Sequence, residues 1–462
     1  MRRYAIVAVT AVWALFGLTM SAVAAPPAAV PPSTQAQADL IGATAVTDTV
    51  TDTVQAEPVV VQSARRVSDV INERQPVFTT LSPDGQFIAW YGETGRGRSR
   101  EQRICVFTFA NAGKQCFTIP AGQFSGFPYQ LQWSPDSTQI AFSENPLELG
   151  NESDIWVLNR ADGTFTNLTD DDLTGSWRGI ASQQDTAINL DYLPAWNAAD
   201  GAIYFWRVQP AGDLSFALSL QRIEPSVGEV EEIADVGALL PGTLPLFDFQ
   251  SIYLDGPSAI APDGSKLAVL LGSFTPMGST QFGLYLFDLA DPTAAPQEAV
   301  SPDAWADAIP VWQSMPATPV GLSWSGDSAH VVAAANSTTT WTPFLVFYSV
   351  DAATGEKTAI VDFSSVESSE AYFDNAPGRE IPWRFFSPWT ASVAPAGDSL
   401  LMLNNLGGVI GLLVSSLPPT EALPALVQTA DSWSTSTMTQ SSRSSNGMVL
   451  MYGLLITLEQ PQ

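Results

Sequence analysis

The chain has 462 residues and carries 47 acidic against 19 basic side chains, a formal net charge of −28. That balance repels phosphate backbones and excludes general DNA or RNA binding, whose affinity rests on Lys and Arg. A single histidine, His330, and two cysteines exclude a two-histidine zinc site and a four-cysteine iron–sulfur cluster, while a 45% hydrophobic fraction supports a large packed core.

Residues 1–24 read as an export signal. Arg2 and Arg3 form a short basic start, and Ala5 to Ala24 is an apolar run without charge. Ala22-Val23-Ala24 is a small-x-small pattern that predicts a cut between Ala24 and Ala25. The alternative is a retained anchor, since about 20 apolar residues can span a bilayer. No cysteine follows the run, so a lipid anchor is not indicated. Residues 25–56 are rich in Ala, Pro and Thr and lack apolar periodicity, the pattern of a flexible linker. Residues 57–462 are expected to form the folded part. The expected location is outside the cytoplasm: periplasmic, cell-surface or extracellular.

Cys105 and Cys116 sit in two alternating runs that flank a turn at Ala110–Gly113. A hairpin of that length places them opposite each other, and an oxidising compartment then favours a cross-strand disulfide.

The informative feature is internal repetition. A short β run enters a Pro-Asp-Gly-like turn and a more apolar run follows. The pattern starts at Leu81, Trp133, Trp196, Ile260, Trp324, Val393 and Ser444, the last copy being the weakest. Proline presets the first corner of such a turn, aspartate caps it, and glycine takes the positive φ. A second β pair follows each copy, as in Asp154-Ile-Trp-Val-Leu-Asn, a turn at Arg160–Gly163, then Thr-Phe-Thr-Asn. Each unit therefore reads as four antiparallel strands, and four-stranded units repeated radially make a β-propeller.

Trp133-Ser-Pro-Asp-Ser-Thr-Gln-Ile-Ala-Phe142 resembles the WD40-like PD40 repeat. That repeat builds the C-terminal propeller of the TolB family and the propellers of prolyl-oligopeptidase-type peptidases. The resemblance covers roughly residues 75–455 and is strongest for the first, second and fourth copies. It implies an all-β fold, a single propeller of four-stranded antiparallel blades. It implies no particular activity, because function sits on sites grafted onto such folds. Seven blades are expected, with six as the alternative. The last blade lacks a fourth strand of its own, and Pro58–Gln62 is expected to supply it, closing the ring and removing open sheet edges.

In a propeller the loops between second and third strands share a face with the links between blades. Here the links at roughly 170–191, 235–256, 302–318 and 364–388 are long, and long loops carry function more often than short ones. They hold Trp177, Arg178, Trp305, Trp312, Trp383 and Arg384, the residue types of binding hot spots and of sugar-stacking surfaces. These six are the candidate binding residues. Replacing Trp305, Trp312 and Trp383 is expected to leave thermal stability nearly unchanged. Asp170-Asp171-Asp172 lacks the glycine spacing of a calcium loop and reads as a solvated turn, so no metal and no cofactor are expected.

His330 follows directly on a repeat turn, an unsuitable setting for a triad base, and no Gly-x-Ser-x-Gly elbow with a following catalytic domain is present. No catalytic residue is assigned. The reading favoured by the sequence is an exported non-catalytic propeller that binds a protein or an envelope polysaccharide through its long-loop face. It is expected to be a monomer whose mature domain does not touch the membrane. The alternative is a secreted carbohydrate-active enzyme, a glycoside hydrolase or lyase using paired carboxylates near the central channel. A buried carboxylate pair with raised pKa would favour the alternative.

Overall fold

The computed structural model describes residues 61–73, 76–95, 101–120, 128–144, 152–172, 189–210, 216–240, 243–245, 258–273, 282–308, 318–338, 343–362, 386–393, 399–406, 409–416, 425–431, 442–451 and 454–459. The proposed signal and linker, 1–24 and 25–56, lie outside them. Among the described residues no helix is long and apolar enough to cross a membrane.

Strand β1 (Val61–Arg66) and the short helix α1 (Val67–Ile71) come first. The first blade is β2 (Val77–Leu81), β3 (Phe87–Thr94), β4 (Glu101–Thr108) and β5 (Gly113–Thr118). The second is β6 (Pro128–Trp133), β7 (Gln139–Glu144), β8 (Ile155–Asn159) and β9 (Phe165–Asn167). The third is β10 (Leu190–Trp196), β11 (Ile203–Pro210), β12 (Phe216–Ile223) and β13 (Val230–Asp235), followed by helix α2 (Val236–Leu239). The fourth has β14 (Thr243–Pro245), β15 (Ser258–Ile260), β16 (Lys266–Ser273), β17 (Phe282–Asp288) and β18 (Gln297–Val300), followed by helix α3 (Pro302–Ala308). The fifth is β19 (Thr318–Trp324), β20 (His330–Thr338), β21 (Pro343–Asp351) and β22 (Lys357–Asp362). The sixth is β23 (Phe386–Val393), β24 (Ser399–Leu406), β25 (Val409–Ser416) and β26 (Ala425–Asp431). The seventh is β27 (Ser442–Arg443), β28 (Met448–Met451) and β29 (Leu454–Leu458), with β1 as its outer strand.

These are seven antiparallel sheets; six run in sequence order from inner to outer strand, and the last takes β1, which precedes the first blade, as its outer strand. The blades touch in a ring: β2 against β6, β6 against β10, β10 against β15, β15 against β19, β19 against β23, β23 against β28 of the last blade, and β27 and β28 against β2. The fold is a single β-propeller. In the fourth blade, β14 and β15 both pair with β16, so two short segments share the inner position. Within the expected 235–256 link, Val236–Leu239 and Thr243–Pro245 are helix α2 and strand β14.

The outer strand of the last blade comes from the segment ahead of the first blade, as expected: pairing with β29 runs from Val61↔Leu458 to Arg66↔Leu454. Of the expected Pro58–Gln62, the described residues are Val61 and Gln62, and the pairing continues beyond them to Arg66. A contact just downstream holds this segment in place. Val67 and Ile71 of α1 are buried with Leu81, Trp90, Leu450 and Leu455 in the seam between the last and first blades. Anchoring α1 there draws the preceding six residues, Val61–Arg66, alongside β29.

The repeat residues explain the ring. In the first turn Ser82 Oγ donates to Asp84 Oδ1 at 2.6 Å, and the amide of Gln86 donates to the same oxygen at 2.9 Å. Gly85 takes φ +67°, and a Cβ there would overlap the side chain of Asn446 in the neighbouring turn. The second and fifth turns repeat the Ser–Asp bond through Ser134–Asp136 and Ser325–Asp327, both 2.6 Å. The tryptophan that precedes three of the turns ties blade to blade. Trp133, Trp196 and Trp324 donate their indole N–H to the carbonyl oxygens of Thr80 (3.4 Å), Gln132 (3.2 Å) and Ala259 (2.9 Å) of the preceding blade. Turn also meets turn: the amide of Asp84 donates to Ser137 Oγ, and that of Asp263 to Ser328 Oγ. The turn face is thus occupied with holding the ring together.

Cys105 and Cys116 are directly opposite in the β4–β5 register and are disulfide-bonded, with Cα atoms 4.0 Å apart. The bond fastens the outer strand of the first blade.

Candidate functional site

The opposite face carries a group of ionisable side chains at the joint between the second and third blades. Strand ends place them. Glu144 closes β7, Ser153 and Asp154 lead into β8, Asp171 follows β9, Asp191 is near the start of β10, and Arg207 is near the end of β11. In an antiparallel blade these ends all point to the face of the inter-blade links.

Asp191 is fully buried and meets Arg207, its cross-strand partner, in a two-pronged ion pair. Arg207 Nε donates to Oδ1 at 2.7 Å and its terminal nitrogen donates to Oδ2 at 2.6 Å. Burial pushes the Asp191 carboxyl up to about 6 even though Arg207 pulls it down. Asp154 is buried and accepts from Asn167 Nδ2 at 2.6 Å and from Thr169 Oγ1 at 3.1 Å. Glu144 Oε1 accepts the indole N–H of Trp156 at 3.2 Å. Asn189 Nδ2 donates to Asp171 Oδ2 at 2.5 Å, and Gln209 donates to Asn189 Oδ1 at 2.7 Å.

Glu152 completes the group. Its carboxyl is pushed up to about 9, first by burial, then by the charges of Asp154 and Glu144, by its hydrogen bond to Asp154 and by the charge of Asp171. Burial also raises the carboxyl of Asp154, against the hydrogen bonds from Asn167, Thr169 and Glu152. Burial and the surrounding carboxylates thus favour the protonated form of Glu152 at neutral pH. The side chain is only half-buried, so this acid stands at the edge of solvent, while its Oε1 is enclosed without a hydrogen-bond partner. A neutral carboxylic acid beside ionised carboxylates can donate a proton or accept a cationic group. Among the described residues no cluster of His, Cys, Asp or Glu has the arrangement of a metal site.

Of the six candidate binding residues, Trp177, Arg178, Trp312, Trp383 and Arg384 lie outside the described residues. Trp305 is described and requires a correction. It is 2% exposed, on α3, with its ring centroid 5.4 Å from that of Phe282 and 5.0 Å from that of Tyr348. It packs the fourth blade against the fifth and is not a surface anchor. The reason is that Pro302–Ala308 folds into a helix that turns Trp305 inward. In the expected solvated turn, Asp170 and Asp172 are exposed and Asp171 is half-buried. Asp170 Oδ1 accepts the amide of Asp172 at 3.2 Å. His330 begins β20, half-buried, with Asp327 and Asp351 close enough to interact electrostatically.

Sequence reasoning named Asp171 only as part of a solvated turn and did not single out Glu144, Glu152, Asp154, Asp191 or Arg207. One signal was available. Arg207 interrupts the apolar run Ile203–Val208, and a charge inside a buried strand needs a buried partner.

No protein-family model and no curated protein matches the chain. Solved structures of similar arrangement exist. TolB from Acinetobacter baumannii aligns at 14% identity over 62% of this chain and 54% of its own, with a TM-score of 0.35. The chain thus spans about half of that TolB. The propeller domain of the Trilobed protease from Pyrococcus furiosus aligns at 12% identity over 81% of this chain and 89% of its own, TM-score 0.40. An oligogalacturonate lyase solved in complex with manganese aligns at 12% identity over 87% and 97%, TM-score 0.49. The fold assignment rests on the strand pairings above.

Proposed function

We propose that this chain is an exported, non-catalytic β-propeller that binds a protein or cell-envelope component through the face of its inter-blade links. The observation that supports this most is the contrast between the two faces. The turn face is committed to indole, serine and backbone bonds between blades. The link face carries Asp171 and Glu152 at the solvent edge and the long links that hold the candidate residues. The chain's acidity keeps it off anionic surfaces and favours partners that present positive charge.

The test is affinity capture from envelope and culture-fluid fractions with the mature chain. It is run beside a variant in which Trp177, Arg178, Trp312, Trp383 and Arg384 are alanine and Trp305 is kept. A protein or polysaccharide held by the parent and lost by the equally stable variant is the expected result. Capture that is the same for both removes the link face from consideration.

One observation favours a second reading, a carbohydrate-active enzyme. Glu152, whose carboxyl is pushed up to about 9, interacts with the ionisable Asp154, the kind of pair such chemistry uses. A screen against acidic and neutral oligosaccharides with the parent and Glu152→Gln separates the readings. Turnover lost in the variant points to an enzyme, and no turnover in either leaves the binding role.

A further inference from the structure

The seam between the first and last blades carries hydrogen-bond donors without acceptors, whatever the link face binds. Side chains along β3 and β4 alternate between two faces. Ile88, Trp90, Cys105 and Phe107 share the face that packs with Val67, Ile71, Leu450 and Leu455. Gly92 and Arg103 pair directly, two residues beyond the Trp90–Cys105 pair, so they lie on that same face. Trp90 is fully buried, yet its indole Nε1 has no hydrogen-bond partner. Arg103 is half-buried, and its Nε is enclosed without a partner. Gly92 lies between the two donors. A Cβ on Gly92 would stand 3.7 Å from Trp90 Nε1, so the indole nitrogen borders the bare glycine that Arg103 faces.

We propose that this seam holds a binding site for a carboxylate ligand, gripped by the Arg103 guanidinium and the Trp90 indole N–H over Gly92. Both groups donate and neither accepts, so their complement is an anion. A buried donor left without an acceptor is costly, and here two stand together. The charge balance sharpens the point. Acidic side chains outnumber basic ones 47 to 19, yet among the described residues no carboxylate pairs with Arg103. Glu101, two residues earlier on the same face, is exposed and makes no ion pair with it. Lys114 lies 5.0 Å from the centroid of the Trp90 ring and is already paired with Glu73.

The donor set fixes the class of anion. Two donors, one of them cationic, match the two oxygens of a carboxylate. A sulfate or phosphate dianion calls for more donors and is repelled by a chain of net charge −28. The missing side chain at Gly92 leaves room for the flat group. A sugar acid and an acylated amino acid both present it, and the test separates these two sources.

The experiment follows indole N–H signals by NMR in the whole mature chain labelled with nitrogen-15 tryptophan, the Trp90 signal being assigned with Trp90→Phe. Glucuronate, N-acetylglycine, neutral methyl glucoside and sulfate are titrated in turn at constant ionic strength. A saturable downfield shift of the Trp90 signal with glucuronate or N-acetylglycine is expected, and the tighter of the two names the source. Arg103→Met is expected to weaken that binding by about tenfold or more, the value of one hydrogen bond to a charged group. Gly92→Val, a good strand residue whose methyl groups fill the space beside the indole, is expected to weaken it as well and serves if Arg103→Met fails to fold. No saturation by about 100 mM of either carboxylate overturns the site, since a paired cationic contact should hold a small anion below that level. Binding of sulfate or methyl glucoside as tight as that of the carboxylates overturns it too, as does carboxylate binding unchanged in a folded Arg103→Met or Gly92→Val variant.

Discussion

Trp324 donates its indole N–H to the carbonyl oxygen of Ala259, 2.9 Å away in the preceding blade. The bond explains why the repeat carries tryptophan where a smaller apolar residue would fill the strand. A ring that buries its face and still reaches a neighbouring backbone oxygen serves both core and joint. Trp324→Phe keeps most of the ring and leaves the Ala259 carbonyl without its donor, an expected cost of about 1–3 kcal/mol. Trp324→Ala is expected to cost about 3–5 kcal/mol. Urea unfolding of the two variants checks the order. Equal losses would mean that the hydrogen bond contributes nothing separable.

Trp305 is expected to behave as a core residue. It is buried between Phe282 and Tyr348, so Trp305→Ala should cost about 3–5 kcal/mol and lower the melting temperature by several degrees. Calorimetry decides this directly. A variant with parental stability would return Trp305 to the candidate binding surface.

Arg207 neutralises a carboxylate that has no solvent exposure. Removing it as Arg207→Met strands the Asp191 charge and should cost about 3–5 kcal/mol, whereas Arg207→Met with Asp191→Leu should recover much of the loss. Chemical denaturation of the single and double variants reads the coupling. A double variant no better than the single would show that the pair is not what Arg207 supplies.

Stability should depend on pH in two opposite senses. Asp136, Asp263 and Asp327 in the turns are held below the ordinary carboxylate value. For Asp136 and Asp327 the hydrogen bond from the turn serine leads; for Asp263 burial is the largest single influence and raises it, but the bonds from Ser265 and Ser328 together outweigh it. Their contribution is present above pH 3.8 and is lost as pH falls through their folded values. Asp191 is raised, so its term is largest below 3.8 and is lost as pH climbs to about 6. Melting temperature against pH should therefore pass through a maximum on the acid side of neutrality. Asp136→Asn should flatten the limb below the maximum and leave the limb above it unchanged.

The disulfide closes a loop with a sequence separation of 11. Chain entropy for a loop of that length puts its contribution at about 3 kcal/mol. The Cys105→Ser, Cys116→Ser double variant should lose about that much, measured by denaturation under non-reducing conditions. No loss would indicate that the register of β4 and β5 is held by the sheet alone.

Much of this fold was legible because its determinants are local. The Ser-Pro-Asp turn satisfies itself within five residues, and the cysteine pair sits within one hairpin, so spacing alone reveals both. The seam and the joint are another matter. Val61 meets Leu458 through ring closure, a contact between segments almost 400 residues apart, and α1 seats that segment by burying Val67 and Ile71. Trp305 was misread because α3 spans seven residues, too short for apolar periodicity to show which way a side chain turns. Asp191 and Arg207 are ordinary charges in the sequence. Their meaning comes from β10 and β11 placing them opposite each other, and that of Glu152 from burial created by neighbours on other strands.

The closing strand sets an order on assembly. As the chain is synthesised, β1 emerges before any blade exists, and its partner β29 emerges only after the first six blades. Six blades can form as their residues appear, but the ring joins only after residue 458 is available to Val61. Until then β1 and the outer edge of β29 wait as unpaired strand edges, the kind that capture neighbouring chains. Yield should therefore depend on how long nascent chains spend in that interval, and slowing translation of the last blade should cost more protein than slowing any earlier one.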